Sequence, residues 1–337
     1  MIAVTPPSVM AARGLVEPVL RDAVARLDPL TARVAGYHLG WSDPAGGPVS
    51  SGGKALRPAL TILSARAAGG SPERYLPAAA AVELVHAFSL LHDDIMDADR
   101  MRRHRPAAWT VFGCSAAILA GDVLLSLAGE LLLDGDTPGH VRAARTLAVA
   151  TRELVAGQAL DLEFEQRSDV SLDECRQMAT RKTGSLLACA CSIGATAVDG
   201  PAPLIAALAA FGAEAGLAFQ LTDDLLGIWG SPAMTGKPVL SDLRSRKKSL
   251  PVVAALTGGT AAGDRLALLM DGSEPLSEAD LWEAARLVEE AGGRSWAETE
   301  AKHRLDAAER HLDAADMPPD VRAEFLDIAH FLASRGC

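Results

Sequence analysis

Long apolar stretches with a helical period are the feature that most restricts the fold of this 337-residue chain. Ala and Leu are abundant, and apolar residues recur three and four positions apart over most of its length. Both residues are good helix formers, and no convincing series of alternating β-branched strands interrupts them. The pattern therefore predicts an all-α protein.

Glycine- and proline-rich breaks such as GGSPE near 69 and DGPAP near 199 divide these stretches into helices. Ser171 followed by Glu174 fits a capping box. The helices predicted cover roughly 12–38, from 56 onward, 73–98, 107–133, 139–166, 171–197, 202–228, 240–257, 278–291, 295–313 and 320–334. Because no stretch resembles a linker, we predict one domain over 1–337, with residues 1–12 flexible.

The net charge of -11 argues against a nucleic-acid binder held by phosphate contacts. The five cysteines make no paired framework and no zinc-ligand spacing, which is typical of a reducing cytoplasm. The N-terminus lacks a basic start followed by an apolar core, so no signal peptide is predicted. The apolar run from Leu186 to Val198 is too short to span a bilayer, so we predict no membrane span.

An acidic cluster, Asp93-Asp94-Ile95-Met96-Asp97, lies in a segment with a helical apolar pattern. Asp93 and Asp97 are four residues apart and therefore share a helix face, where two like charges repel. A divalent cation between them reverses that interaction, and magnesium takes oxygen ligands and bridges carboxylates to phosphates. The alternative is a solvated acidic turn at a helix end.

A second acidic pair, Asp223-Asp224, lies inside another apolar segment, where unpaired carboxylates are costly to bury. Two such clusters on separate helices can face each other across a cavity. They would then hold several magnesium ions and a diphosphate between them.

Basic residues fit the same interpretation. The chain has only six lysines, and five of them stand in glycine-bearing or strongly basic segments; these five are Lys54, Lys182, Lys237, Lys247 and Lys248. Arg102 and Arg103 follow the first aspartate cluster. Lysine can approach a phosphate oxygen as a point charge, whereas arginine can grip two oxygens. Any one of these cations alone could be a solvated surface residue.

These motifs resemble the trans-isoprenyl diphosphate synthases, the polyprenyl synthetase family. The ordered matches are GGKALRP (52–58), ELVHAFSLLHDDIMDADRMRR (83–103), AGD (120–122), GQALDLEFE (157–165), RKTGSL (181–186), FQLTDD (219–224), GKP (236–238) and RKKSLP (246–251). The resemblance implies a bundle of roughly 10–13 helices around a deep central cavity, and a homodimer. It also implies that an allylic diphosphate ionises, that isopentenyl diphosphate attacks it, and that a proton is lost.

The resemblance assigns Asp93 and Asp97 to two magnesium ions on the allylic diphosphate, with Asp94 in support, and Asp223 to a third ion. The residues assigned to isopentenyl diphosphate are Lys54, Arg57, His86 and Arg103. Those assigned to the allylic diphosphate are Arg102, Lys182, Lys237 and Lys247, supported by Thr183, Gln220, Gln158 and Asp161. Of these, the residues expected to be catalytic are Asp93, Asp94, Asp97, Arg102, Lys182, Asp223 and Lys237. Metals and fixed cations stabilise the departing diphosphate.

The chain departs from the family pattern at Gly227, where many members end the second motif in aspartate, and at His104, where glycine is common. Because glycine cannot ligate a metal, we expect the 93–97 side to carry the larger share of metal binding. Phe88 and Ser89, just before the first motif, are the candidates that limit product length. One bulky residue rather than two predicts geranylgeranyl diphosphate over farnesyl diphosphate.

Three other functions stay open. A class I terpene cyclase also ionises a prenyl diphosphate, but its late Asn…Ser…Glu metal motif is not found here. A non-catalytic partner subunit of another synthase would be favoured by loss of the first motif, which is intact. A helical scaffold with solvated acidic faces would tolerate replacement of Asp93 or Asp97.

Overall fold

The computed structural model describes residues 5–49, 53, 55–232, 238–272 and 274–333. Within them the chain forms sixteen α-helices, a π-helical turn at Thr180–Gly184 and one hairpin of two-residue strands. The helices are α1 (Pro7–Val24), α2 (Pro29–His38), α3 (Leu56–Ala67), α4 (Pro72–Met96), α5 (Ala108–Phe112), α6 (Cys114–Leu133), α7 (Pro138–Glu165), α8 (Leu172–Ala179), α9 (Ser185–Ala197), α10 (Ala202–Trp229), α11 (Ser241–Arg244), α12 (Leu250–Thr257), α13 (Ala261–Met270), α14 (Glu278–Glu290), α15 (Gly293–Asp313) and α16 (Pro319–Ala333). The hairpin strands are β1 (Met101–Arg102) and β2 (Arg105–Pro106). The all-α prediction is confirmed.

Local capping explains where several helices begin. The predicted capping box is present, because Ser171 accepts from the Glu174 amide while the Glu174 carboxylate accepts from the Ser171 amide. A predicted single helix over 12–38 is instead two, since Asp28 caps α2 and Pro29 occupies its first turn. Helix α1 begins at Pro7 and buries Val9, so residues 7–12 are helical rather than flexible.

Three other differences from the predicted helices have a backbone cause. The predicted helix over 107–133 is divided at Gly113, because a right-handed α-helix cannot include a residue with a φ of 87°. The stretch 240–257 divides into α11 and α12, because the chain turns at Arg246, whose φ is 52°. Helix α13 was not predicted, since the Thr- and Gly-rich segment before it indicated a loop; the Thr260 hydroxyl caps this helix by accepting from the Gly263 amide.

Helix α10 runs through all three hydrophobic clusters of the bundle. Its first half packs in the largest cluster, where Phe211 meets Phe325 of α16 edge to face with ring centroids 5.4 Å apart. Leu217 and Leu221 join the second cluster, and Ile228 joins the third, which is built by α11 to α14. The single-domain organisation stays a prediction, but this shared helix ties the clusters together.

Helices α4, α6 and α10 are long and apolar enough to cross a membrane by length and composition. In this fold the most apolar windows of α4 and α10 are 67% and 50% buried, and that of α6 is 39% buried. Burial inside the bundle accounts for the composition of α4 and α10, which also carry the two aspartate clusters. Helix α6 leaves more of its apolar surface uncovered.

The hairpin places the paired arginines beside the end of α4. Arg102 pairs with Arg105 across the two strands, and residues 103 and 104 form the turn. Both turn residues have positive φ, 52° for Arg103 and 61° for His104. A two-residue hairpin turn with positive φ at both positions favours glycine or asparagine. This geometry explains why glycine is common at position 104, and why His104 is strained there.

Candidate active site

A cavity of about 340 Å³ opens at the end of α4. Asp97 lines it from the C-terminal cap of α4, and Asp161 lines it from α7. Lys247 lines the cavity from the segment that follows α11. The cavity therefore brings together carboxylates and a lysine that are 150 residues apart in the chain. Its volume lies in the usual range for small-ligand sites.

The carboxylates of the first motif are crowded and only partly hydrated. Burial raises the pKa of Asp93 to about 6; Lys182 opposes this rise and Asp97 adds to it. Burial also raises the pKa of Asp97, and Lys182 and Lys247 again oppose the rise. Both ionised groups are therefore held in a place that favours a nearby cation.

Asp94 has a different environment from its neighbour. It is 1% exposed, and its Oδ1 accepts from Arg102 Nε at 2.8 Å and also from Arg102 Nη2. Burial would lower the pKa of Arg102, but the hydrogen bond and charge of Asp94 raise it. Asp94 thus anchors Arg102 beside the motif.

The second motif on α10 repeats this division. Asp223 is exposed, whereas Asp224 is 3% exposed and accepts from Gln220 Nε2 at 2.8 Å and from the Leu250 amide at 2.9 Å. Burial raises the pKa of Asp224 to about 7, although Lys247 opposes this. In each motif, one aspartate is accessible and the next is buried in a structural bond.

Lys182 lies in the π-helical turn between α8 and α9. Its ammonium donates to Asp161 Oδ2 at 2.6 Å, and both side chains are largely buried. Burial alone would raise the pKa of Asp161, but Lys182 and Lys247 hold it below the ordinary value. A Cβ at Gly157 would stand within 2.8 Å of three backbone atoms of Arg181 and Lys182, so glycine there lets α7 approach the turn. π-helical turns often mark functional sites.

A chain of hydrogen bonds connects this turn to the second motif. Thr183 Oγ1 donates to Gln220 Oε1 at 2.5 Å, and the amide of Gln220 donates to Asp224. Gln158 is 5% exposed, and neither polar atom of its side chain has a partner among the described residues. The structure thus joins Thr183 and Gln220 in one network and leaves Gln158 outside it.

Lys247 connects the carboxylates of three helices. Burial would lower its pKa, but Asp242, Asp224, Asp161 and Asp223 raise it well above the ordinary value. Lys247 is therefore permanently charged. Its backbone amide donates to the Asp242 carbonyl at 2.8 Å, which fixes the segment after α11.

A second basic region lies on the other side of the hairpin. Burial holds the pKa of His86 well below its ordinary value, and Arg57 and Arg103 lower it further, so the imidazole is neutral. A Cβ at Gly53 would stand 3.0 Å from the Arg103 guanidinium, which places the loop before α3 against that arginine. Burial raises the pKa of Glu83, and the charges of Arg57 and Arg103 oppose this rise. The structure brings Arg57, His86 and Arg103 together.

Two predicted residues, Lys54 and Lys237, lie outside the described residues. Of the chain-length candidates, Phe88 is buried and packs edge to face on His92 with ring centroids 4.9 Å apart. Ser89 is also buried, and its hydroxyl donates to the His86 carbonyl at 2.9 Å.

Sequence reasoning missed Asp242, which lines the same cavity as Asp97 and Lys247. It stands near the start of the predicted stretch 240–257, in a helix of only four residues. Its place between a glycine-bearing segment and the basic run that follows was the only available signal.

The donor set suits magnesium. The groups at the site are carboxylates, which are hard oxygen ligands. Burial, with a smaller contribution from neighbouring carboxylates, raises the pKa values of Asp93 and Asp97, and a nearby cation would offset that cost. No three metal-ligating side chains among the described residues are arranged to hold an ion by themselves. That is compatible with magnesium, which protein sites commonly bind through one or two carboxylates together with substrate phosphates.

The family model for polyprenyl synthetase matches residues 42–288, most of the chain, and the chain belongs to this family. It is 50% identical over 336 residues to the (2E,6E)-farnesyl diphosphate synthase of Mycobacterium tuberculosis (strain ATCC 25618 / H37Rv), covering 98% of this chain and 93% of that protein. It is 42% identical over 332 residues to the geranylgeranyl diphosphate synthase of the same strain, covering 97% of this chain and 93% of that protein. The crystal structure of a polyprenyl synthetase from Streptomyces coelicolor A3(2) superposes with a TM-score of 0.91 at 50% identity, covering 96% of this chain and 98% of that one. The chain is thus a trans-prenyl diphosphate synthase, a prenyltransferase.

Replacing Asp93 with Asn should stabilise the ligand-free protein at pH 7. The pKa of Asp93 is about 6 in the folded protein, against an ordinary value of 3.8. The ionised carboxylate is therefore less favourable in the folded state than in the unfolded state. This cost is absent below both pKa values and is complete above pH 6. The gain in the midpoint of thermal unfolding for Asp93→Asn should therefore be larger at pH 7 than at about pH 4.5.

The control is Asp327→Asn, which changes an exposed carboxylate on α16. It should change the free energy of unfolding by less than about 0.5 kcal/mol at either pH. A gain for Asp93→Asn that is equal at both pH values would contradict the raised pKa.

Proposed function

We propose that the enzyme condenses isopentenyl diphosphate with an allylic diphosphate, dimethylallyl, geranyl or farnesyl, in a magnesium-dependent reaction. The observation that carries this proposal is the electrostatic cluster formed by both aspartate motifs. Asp93 and Asp97 of α4 interact with Lys182, and Asp223 of α10 interacts with Lys247. A diphosphate is a ligand whose charge complements such a mixed cluster of lysines and metal-ligating carboxylates.

The two basic regions support separate places for the two substrates. The allylic diphosphate would lie against Lys182, Lys247 and Arg102, with Asp93, Asp97 and Asp223 holding about three magnesium ions. Isopentenyl diphosphate would lie against Arg57, His86 and Arg103, where no aspartate motif is present. We include Lys54 and Lys237 in these two groups from the sequence resemblance alone.

The magnesium ions would supply Lewis-acid stabilisation of the charge on the diphosphate. The protein's own residues hold that diphosphate in place as the carbon–oxygen bond breaks. Lys182 is held by its ion pair with Asp161, and Lys247 remains charged because carboxylates surround it. Arg102 is kept in position by its bond to Asp94. Fixed cations of this kind need no rearrangement as charge develops.

The allylic carbon then bonds to the terminal alkene carbon of isopentenyl diphosphate, which leaves the positive charge on the internal alkene carbon. A proton is lost from the methylene carbon next to that internal carbon, and the electrons of the broken C–H bond form the new double bond. The departed diphosphate is the proposed proton acceptor. The neutral imidazole of His86 can donate a hydrogen bond to the isopentenyl diphosphate without carrying a proton that must be released.

The rival functions differ in what they require. A terpene cyclase needs no site for isopentenyl diphosphate, whereas Arg57, His86 and Arg103 form a basic region suited to one. A non-catalytic partner subunit or a scaffold would not need Asp93 to keep an unfavourable charge. We also propose the cytoplasm as the place of action.

Turnover with defined substrates tests the proposal. The protein is incubated with Mg²⁺, isopentenyl diphosphate and each allylic starter, and the products are sized. Asp97→Ala should lower the rate at least about 100-fold, since it removes a metal ligand, while Asp327→Asn should leave it unchanged. Chelation of Mg²⁺ should stop the reaction. Cyclised hydrocarbon formed without isopentenyl diphosphate would indicate a cyclase, and no turnover would indicate a partner subunit or scaffold.

For the product we propose geranylgeranyl diphosphate, with farnesyl diphosphate as the competing candidate. Phe88 is one bulky buried residue upstream of the first motif, and Ser89 beside it is small. The identity of 50% to a farnesyl diphosphate synthase favours the shorter product. A floor set by Phe88 alone favours the longer one.

Phe88→Ala should lengthen the main product by at least one isoprene unit, because it removes most of the proposed floor. Phe88→Leu keeps more of the volume and should lengthen it less. Products from the same allylic starter are compared by chromatography after dephosphorylation. An unchanged distribution in Phe88→Ala would rule out Phe88 as the floor.

We propose that the protein is a homodimer assembled through α6 and α7. Ile118 and Leu119 of α6 are 42% and 51% exposed, and α7 exposes Val141, Val149 and Val155. All five are apolar side chains exposed on two helices that pack against each other. Such faces on soluble proteins commonly mark association sites.

Ile118→Glu should convert the dimer to a monomer by placing a charge in that face. Leu268→Glu is the matched control, because Leu268 of α13 is 80% exposed but lies outside the face. Light scattering after size exclusion should give twice the 35.1 kDa chain mass for the wild type and the control. A monomeric wild type would contradict the proposal.

A further inference from the structure

The carboxylate of Asp242 occupies the space beside residue 227, which has no side chain. All three atoms of this carboxyl group lie within 2.6 Å of the point where a Cβ at position 227 would stand. Gly227 is four residues after Asp223 and therefore shares its face of α10. Asp242 thus presents a carboxylate where the resemblance places the last aspartate of the second motif.

Hydrogen bonds between α10 and α11 hold Asp242 in this position. The Leu240 amide donates to the Ile228 carbonyl at 3.2 Å, and the Ser241 hydroxyl donates to the Gly227 carbonyl at 3.2 Å. Leu240 has a φ of 63°, a strained conformation for leucine, which these contacts stabilise. The position of Asp242 is therefore built into the fold rather than left to a free side chain.

The charges around Asp242 are those of the active site. It lines the cavity together with Asp97, Asp161 and Lys247. After the opposing effect of burial, Asp242 is the largest influence raising the pKa of Lys247. The Asp242 carboxylate, which lies beside Gly227 of α10, thus interacts with the same cation as Asp223, the ammonium group of Lys247.

We propose that Asp242 replaces the missing last aspartate of the second motif and, with Asp223, helps to hold magnesium on the α10 side of the diphosphate. This inference rests on the proposed function. Gly227 is then required, because any side chain there would displace Asp242. Under this proposal the second half of the site has two carboxylates, Asp223 and Asp242, instead of one.

Magnesium binding can be measured without turnover. MgCl₂ is titrated into protein saturated with inorganic diphosphate. Magnesium binding is monitored by calorimetry and by the midpoint of thermal unfolding. Asp242→Asn should raise the Mg²⁺ concentration for half-saturation about tenfold. Glu165→Gln is the matched control, because Glu165 lines the same cavity and loses the same charge. It should change that concentration less than about twofold.

The double variant Gly227→Asp/Asp242→Ser moves the carboxylate from α11 to α10. It should bind Mg²⁺ within about threefold of the wild type, while Asp242→Ser alone should bind about tenfold more weakly. Circular dichroism spectra confirm that the variants are folded. The single variants decide the question if the double variant does not fold.

Equal shifts in Asp242→Asn and Glu165→Gln would overturn the inference, because Asp242 would then contribute only general negative charge. The inference would also be overturned if Asp242→Asn left the Mg²⁺ concentration for half-saturation unchanged. Asp93→Asn separates this failure from failure of the proposed function. If Asp93→Asn also binds Mg²⁺ and diphosphate like the wild type, the metal site itself is wrong; if it loses binding, only the role of Asp242 is rejected.

Discussion

Repulsion among carboxylates in a partly dry cavity is the constraint on which the rest of this structure depends. Asp93 and Asp97 stand one turn apart, and burial raises the pKa of both. The charge of Lys182 favours the ionised form of both aspartates, and that of Lys247 favours ionised Asp97. Helices α4, α7 and α10 and the π-helical turn must therefore be positioned together, since none of these groups is stable at such a site alone.

In each aspartate pair, the buried carboxylate bonds to a neighbouring structural element. Asp94 bonds to Arg102 and so connects α4 to the hairpin, while Asp224 bonds to the Leu250 amide and so connects α10 to the start of α12. A buried carboxylate of this kind must have hydrogen-bonding partners, which makes the neighbouring element's position definite. The accessible aspartate beside it is then held by a helix that is fixed at that point.

The separation of the two basic regions has a structural cause in the hairpin between them. Arg102 faces Asp94, whereas Arg103 lies in the turn and joins Arg57 and His86. The turn at Arg103 and His104 therefore separates the side chains of two adjacent arginines. The positive φ values at Arg103 and His104 are the strain that accompanies that turn.

The sequence by itself determined the all-α class, the capping box at Ser171 and the membership of both aspartate motifs in helices, because helical period and local capping are encoded over a few residues. It also pointed to three of the residues that line the cavity, Asp97, Asp161 and Lys247. Only the tertiary structure decided which aspartate of each pair is accessible, and that Asp242 fills the space at Gly227. Burial and long-range contact determine those outcomes, and neither can be read from spacing along one helix.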